Sequence, residues 1–123
     1  MTPSEIITAD AQRNGVNPNS VITKMEKLLK SKKAIMLQHG DSVLIIRKFG
    51  DGLAELHIFT TDTPREIINA IKTFISKIKK SDIQTVYGNA DNNQIIRVLK
   101  SLGVIVQNSD IDGYNWKADV WAQ

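Results

Sequence analysis

Glu55 and His57 stand two residues apart in the stretch Leu53 to Phe59, whose composition predicts a β-strand. Because side chains alternate along a strand, both residues lie on the same face of it. A carboxylate or an imidazole in a cleft can take a proton from a reacting group, so either residue is a candidate general base. The alternative is a polar pair on a half-exposed sheet face, and the sequence leaves both open.

A second candidate site lies in the segment FTTDTPREII, residues 59–68, which predicts a turn followed by a helix. Thr63 can cap this helix, Pro64 suits its first position, and Glu66 completes a capping box. A helix start just after a buried strand is a natural anion site. Arg65 and the first amides of the helix are the groups that would hold a phosphate there.

The composition of this turn argues against a phosphate. It contains no glycine, although glycines let a backbone approach phosphate oxygens closely. Pro64 removes one amide donor, and Asp62 places a negative charge where the phosphate would lie. The sequence therefore favours a plain capped helix, with a divergent phosphate site as the alternative.

Residues 108–119, NSDIDGYNWKAD, match the spacing of a calcium-binding loop imperfectly. Asn115 occupies a position that is usually aliphatic, Asp119 stands in place of the bidentate glutamate, and predicted strands flank the segment. A hairpin turn at Asp112-Gly113 is the preferred interpretation. The chain also has no cysteine, which excludes thiolate ligands, thiolate nucleophiles and disulfides. We predict no metal site.

The charge of the chain is mildly basic, with a net charge of +3 and a pI of about 9.2. Lysines form basic faces on two predicted helices, but no aromatic platform or nucleic-acid-binding motif accompanies them. We therefore expect solvated faces rather than nucleic-acid binding. The longest aliphatic run, Val43 to Ile46, is far shorter than the roughly 20 residues of a membrane span.

Aromatic residues are concentrated near the carboxyl end of the chain. The alternation of a strand predicts Tyr114 and Trp116 on one face and Trp121 on the other. One of these faces should pack in the core, and the other can form an interface.

Hydrophobic periodicity and turn residues predict four helices and six strands in one domain, residues 1–123. The predicted helices are Thr2 to about Gly15, Asn17 to about Lys30, Pro64 to Lys80, and Asp91 to Leu102. The predicted strands are Ala34 to Gln38, Val43 to Phe49, Leu53 to Phe59, Ile83 to Tyr87, Val104 to Gln107, and Tyr114 to Trp121. A strand-helix-strand unit, residues 53–87, implies one parallel pair in an α/β fold with a mixed sheet.

This order of elements resembles the GNAT fold of the Gcn5-related N-acetyltransferase superfamily, without the strand that normally opens it. The segment NNQIIRVLKSLG, residues 92–103, is the best local match, because the family has an Asn opening this helix and Leu-Gly at its end. Asn92, Leu102 and Gly103 fit, and Val104 replaces a usual Phe. The resemblance implies a Tyr as general acid at the position of Leu99, and leucine has no proton to donate.

The resemblance also implies acetyl-CoA bound at a glycine-containing turn, which is missing at residues 60–65. Taken together, these two losses predict a non-catalytic domain with a binding or structural role and no cofactor. A protein partner or a homo-oligomer is expected, and the location is expected to be cytoplasmic. Reduced proteins of this kind occur among internal virion proteins of short-tailed phages, so a virion or assembly protein in a host cytoplasm is also implied.

The alternative is an active N-acetyltransferase with a divergent cofactor loop. In it, Arg65, Glu66, Ile67 and Asn92 would hold acetyl-CoA. Glu55 or His57 would then serve as the base toward the acceptor amine.

Overall fold

The computed structural model of the chain describes residues 1–89 and 93–120. Its helices are α1 (Pro3–Arg13), α2 (Pro18–Lys30), α3 (Pro64–Lys79) and α4 (Asn93–Ser101). Its strands are β1 (Ala34–His39), β2 (Ser42–Gly50), β3 (Leu53–Thr60), β4 (Thr85–Gly88), β5 (Gln107–Asn108) and β6 (Trp116–Asp119). Among the described helices, no segment combines the length and the apolar character that crossing a bilayer requires.

Side-chain caps fix the starts of the first three helices where the sequence predicts them. The Thr2 hydroxyl accepts from the Glu5 amide, and the Glu5 carboxylate accepts from the Thr2 amide, which is a complete capping box. The Asn17 side chain accepts from two amides of α2, and Thr63 accepts from the first turn of α3. A proline follows each of these caps, because the first helical position needs no amide donor.

The six strands form one sheet in the order β1-β2-β3-β4-β6-β5. The β3–β4 pair is parallel and the other pairs are antiparallel, so the predicted mixed sheet is confirmed. The chain turns from β2 to β3 at Asp51-Gly52, where Gly52 takes a φ of 70° that glycine adopts without strain. The meander places Glu55 and His57 near the middle of the sheet.

Each face of the sheet is covered by one pair of helices. Val43 and Ile45 of β2 pack against Ile6 and Ile7 of α1 and Met25 of α2. The alternate residues of β2 point the other way and join a larger core beneath α3 and α4. That core contains Leu44, Ile46, Ala54, Ile67, Ile71, Phe74, Val86, Leu99 and Trp116. Burial on both faces explains the continuous aliphatic run of β2.

The carboxyl-terminal hairpin is shorter than predicted, and one expectation about it is wrong. Among the described residues of the hairpin, Gln107 and Asn108 alone form the first strand, and β6 itself begins at Trp116. Tyr114 therefore precedes the strand and does not share a face with Trp116. The Tyr114 ring lies over the α1–α2 face of the sheet, whereas Trp116 is buried in the core under α3 and α4. Trp121 lies outside the described residues.

A network of hydrogen bonds ties α1 and the β1–β2 turn to the end of β3. The buried Asp10 carboxylate accepts from the Thr60 amide at 3.0 Å, and Ser42 and Thr60 hydroxyls lie 2.7 Å apart. The Ser42 hydroxyl also donates to Asp62 at 2.6 Å, and the Asp41 amide donates to the same carboxylate at 3.2 Å. Since these groups satisfy one another, the end of β3 is fixed without a further strand.

The close contact between Gly88 and Trp116 gives a stability prediction. A Cβ at Gly88 would lie 2.6 Å from the Trp116 ring, so Gly88→Ala should destabilise the fold by about 1–3 kcal/mol through overpacking. Urea unfolding measures the change. Gly50→Ala is the matched control, because the closest contact of its Cβ would be the flexible end of the Leu53 side chain at 3.2 Å. Equal losses in the two variants would contradict this account.

Candidate functional site

The candidate site is a cavity that opens where the two parallel strands separate. Leu53, Ala54 and Glu55 of β3 pair with residues 85–87 of β4. Beyond Glu55, β3 continues for five residues to Thr60 without pairing to β4. A cavity of about 260 Å³ lies at this separation, between α1, α2, the second half of β3, the end of β4 and α4.

Glu55 lies beside this cavity and is held by two hydrogen bonds. The Arg47 Nε donates to Glu55 Oε1, and the Tyr114 hydroxyl donates to Glu55 Oε2 at 2.6 Å. Burial of the carboxylate acts to raise its pKa, but the donors Arg47 and Tyr114 outweigh it and lower the pKa from 4.5 to about 2. A carboxylate of such low basicity is a weak proton acceptor at neutral pH.

His57 lies on the same face as Glu55, as its spacing predicts, and lines the cavity. Its Nε2 is 3.6 Å from Glu55 Oε1, which is beyond hydrogen-bond distance, and this buried nitrogen has no hydrogen-bond partner among the described residues. Burial lowers the pKa of His57 despite the opposing charge of Glu55. The imidazole is therefore neutral at pH 7 and can accept or donate one hydrogen bond in the cavity.

An aromatic cluster next to Glu55 was not foreseen from the sequence. The rings of Phe49, Tyr87 and Tyr114 have centroids 5.6 Å apart in each pair. The Arg47 guanidinium lies 5.7 Å from the Phe49 ring centroid, and the Tyr87 hydroxyl donates to Asp110 at 3.0 Å. These contacts fix the Tyr114 ring and hence its hydroxyl on Glu55.

The partner of Glu55 could have been sought by counting outward from the Asp51-Gly52 turn. A regular hairpin would place Lys48 opposite Glu55. An irregularity between Lys48 and Gly50 shifts the register, so Arg47 is the actual partner. Because a bulge of this kind leaves no clear signal in the sequence, only the presence of a nearby cation was predictable.

The start of α3, the second candidate site, uses its own amides for capping. The Thr63 hydroxyl accepts from the Glu66 amide at 3.4 Å, and the Thr63 carbonyl accepts from the Ile67 amide at 2.9 Å. Pro64 has no amide hydrogen. The amide of Arg65 is thus the first-turn donor left for a ligand, and the Arg65 side chain is exposed.

The structure does not bring the predicted cofactor residues to the cavity. The lining of the cavity does not include Arg65, Glu66 or Ile67. Glu66 is exposed at the helix start, and the Ile67 side chain is 1% exposed in the core. Asn92, the fourth residue of that prediction, lies outside the described residues.

Two further positions from the sequence are accounted for by packing and pairing. Leu99, at the position of the acid in the resembling family, is buried in the core beneath α3 and α4. In the segment that matches a calcium loop, Asp110 pairs with Tyr87 and Lys117, while Asp119 accepts from the Thr85 hydroxyl. These two carboxylates therefore serve separate contacts.

Comparison with solved structures identifies the fold. A GNAT-family acetyltransferase from Staphylococcus aureus Mu50 superposes with a TM-score of 0.63 at 9% identity, over 95% of this chain and 92% of that chain. A chimera of the spermidine N-acetyltransferase SpeG from Vibrio cholerae and hSSAT gives a TM-score of 0.51 at 8% identity, over 84% of this chain and 74% of that one. No protein-family model and no curated protein matches the sequence.

The ion pair of Glu55 predicts a pH dependence of stability. A carboxyl whose pKa is lower in the folded state than in the unfolded state stabilises the fold at pH values above its unfolded-state pKa. This stabilisation is lost as the pH falls through its folded-state pKa. Between pH 4.5 and pH 2, the free energy of unfolding of the wild type should therefore fall by at most about 3 kcal/mol because of this group. The loss is smaller to the extent that solvent screens the pair.

Urea unfolding at several pH values measures this loss. Glu55→Gln should remove most of the pH dependence in that window, whereas Glu26→Gln, an exposed carboxylate of α2, should keep it. A Glu55→Gln variant with the wild-type pH profile would show that the pair does not couple to folding.

Proposed function

Because the chain has the GNAT fold but lacks a free anion site at the start of α3, we propose that it is a non-catalytic acetyltransferase-like domain. Its role in this proposal is to bind a protein partner or a second copy of itself. A place in a phage virion or its assembly, which the resemblance implies, is one setting for that role. A fold does not determine a function, so the residues of the site decide which function the chain can have.

The single observation that carries the proposal is the composition of the α3 start. A diphosphate held at a helix start needs several amide donors directed at it and a backbone that lets it approach. Here Thr63 takes the Glu66 and Ile67 amides, and Pro64 offers none. The segment between β3 and α3 also lacks glycine. The amides of Thr63 and Arg65 and the exposed Arg65 guanidinium remain at this helix start.

The environment of Leu99 and Trp116 supports the same conclusion. Leu99 is buried where a proton donor would be required, and the Trp116 ring lies against Gly88 next to the strand separation. Leu56 and Trp116 line both this cavity and a smaller apolar one beneath α3 and α4, so the two side chains stand between the cavities. An extended thiol arm would have to displace them to reach the cavity from the α3 side.

The second candidate function is an active N-acetyltransferase, which the environment of His57 favours. Its Nε2 lies 3.6 Å from Glu55 Oε1 and has no hydrogen-bond partner among the described residues, and its imidazole is neutral at pH 7, as a general base must be. The Thr60 amide points away from β2 toward Asp10. By alternation, the amides of Leu56 and Ile58 are also directed away from β2, beside the cavity. In this candidate His57 rather than Glu55 is the base, because Arg47 and Tyr114 lower the pKa of Glu55 and make it a weak proton acceptor.

Calorimetric titration with acetyl-CoA tests the proposal, supported by thermal unfolding. A ligand that binds only the folded state raises the melting temperature by mass action, so the proposal predicts no heat of binding and no shift at millimolar acetyl-CoA. The Arg65→Ala variant shows whether any weak binding depends on the positive charge at the start of α3. A saturable signal that Arg65→Ala abolishes would overturn the non-catalytic proposal.

An acetylation assay with acetyl-CoA and spermidine as acceptor separates the two candidates further. The non-catalytic proposal predicts no turnover above the uncatalysed rate. The active candidate predicts turnover that His57→Ala lowers by about 100-fold or more, the usual contribution of a general base, and that Glu55→Gln lowers much less. Turnover with that dependence would establish the active candidate.

A further inference from the structure

The free edge of the sheet is formed by β1, which pairs with β2 on one side and ends the strand order on the other. Its sequence, AIMLQH, contains no proline, lysine or acidic residue of the kind that protects edge strands from pairing. Ile35 and Met36 are exposed at 59% and 40%. An unprotected edge with apolar side chains on both of its faces is suited to adding a further strand.

The hydrogen-bond pattern shows which groups this edge offers. The Lys48 amide donates to the Lys33 carbonyl, so Lys33 is directed toward β2. Along a strand of an antiparallel pair, the backbone amide and carbonyl groups of successive residues point alternately toward and away from the partner strand. Those of Ile35 and Leu37 therefore also point toward β2. The amides and carbonyls of Ala34, Met36 and Gln38 then point outward along the edge.

We infer that β1 pairs antiparallel with β1 of a second copy of this chain, about a two-fold axis at Met36. In this register Met36 lies opposite Met36 of the second copy, and Ala34 lies opposite Gln38. Each of these pairs exchanges two hydrogen bonds, so every outward group of β1 finds a partner. The two six-stranded sheets become one continuous sheet.

The side chains agree with this register on both faces. Residues opposite each other in an antiparallel pair share a face, so the two exposed Met36 side chains meet on the α1–α2 face. On the α3–α4 face, the exposed Ile35 meets Leu37 of the second copy. Apolar area that is exposed in one copy is thus covered by like area of the other.

Charge complementarity favours a second copy over a partner of other composition. Lys32 and Lys33 precede β1, are exposed, and form no ion pair within residues 1–89 and 93–120. Asp62 lies at the opposite end of β1, where the Ser42 hydroxyl and the Asp41 amide donate to it. The neighbouring Asp41 carboxylate is paired with the Met1 ammonium. An antiparallel arrangement brings the lysine end of each copy next to the aspartate end of the other. Both ends of the interface gain an attractive contact.

The dimer gives the proposed non-catalytic domain a specific partner, a second copy of itself. Only this biological role rests on the proposed function. The β1 edge lies at the end of the sheet, and β2 and β3 stand between it and the separation of β3 from β4. A chain that stays monomeric and does not bind acetyl-CoA would refute the dimer but not the non-catalytic proposal. A chain that dimerises and binds acetyl-CoA would refute the non-catalytic proposal but not the dimer.

Sedimentation velocity over a wide concentration range tests the association. The wild type should sediment at twice the 13.7 kDa mass of the chain, and Met36→Lys should be monomeric because two lysines would face each other across the axis. Ile105→Lys is the matched control, since Ile105 is exposed at 58% outside β1, and it should remain dimeric. Circular dichroism confirms that each variant is folded. A monomeric wild type, or a dimer that Met36→Lys leaves intact, would overturn the inference.

Single-cysteine cross-linking tests the register independently, because the chain has no other cysteine. Opposed residues in a hydrogen-bonded pair have Cα atoms about 5.5 Å apart, within the range of a disulfide. Met36→Cys should therefore form a covalent dimer under mild oxidation. Gln38→Cys should not, because the two copies of residue 38 lie about 13 Å apart along the strands. Cross-linking through Gln38→Cys, or through neither variant, would contradict the register.

Discussion

Three residue pairs join β3 to β4, and the rest of the site depends on the strands separating after them. The remaining length of β3 has no strand on that side, so its outward amides need other partners. At the end of β3, Asp10 of α1 supplies one by accepting from the Thr60 amide. Between Glu55 and Thr60 the strand borders the cavity instead. One interruption in the pairing thus produces both the cavity and the polar network that closes its far end.

The same network leads into the capped start of α3. Asp62 is drawn toward the β1–β2 turn by the Ser42 hydroxyl and the Asp41 amide. The next residue, Thr63, then turns its hydroxyl and carbonyl to the first amides of α3. The residues between β3 and α3, which could otherwise surround a phosphate, instead make the contacts that join the strand to the helix. The fold is that of GNAT acetyltransferases, and in this chain these residues hold β3 and α3 together.

Local chemistry made much of this fold predictable. Helix caps at Thr2, Asn17 and Thr63 and the turn at Asp51-Gly52 are specified by single residues whose geometry is nearly independent of context. The parallel pair followed from the strand-helix-strand order. The site was less predictable, because it depends on contacts between distant segments. Because of the bulge near Lys48, Arg47 rather than Lys48 lies opposite Glu55. Because β6 begins only at Trp116, Tyr114 lies on the opposite face of the sheet from Trp116.

A titration of the ¹⁵N-labelled chain with coenzyme A, followed by amide NMR shifts, would show whether the start of α3 and the cavity hold a cofactor. It observes separately the amides of the α3 start, residues 65–68, and those of β3 beside the cavity, residues 56–59. Neither set should move in a saturable way, because Thr63 caps the first turn of α3 and no diphosphate site then holds the cofactor beside the cavity. Saturable shifts in both sets would show that the cofactor site of the fold is intact, and would contradict the account.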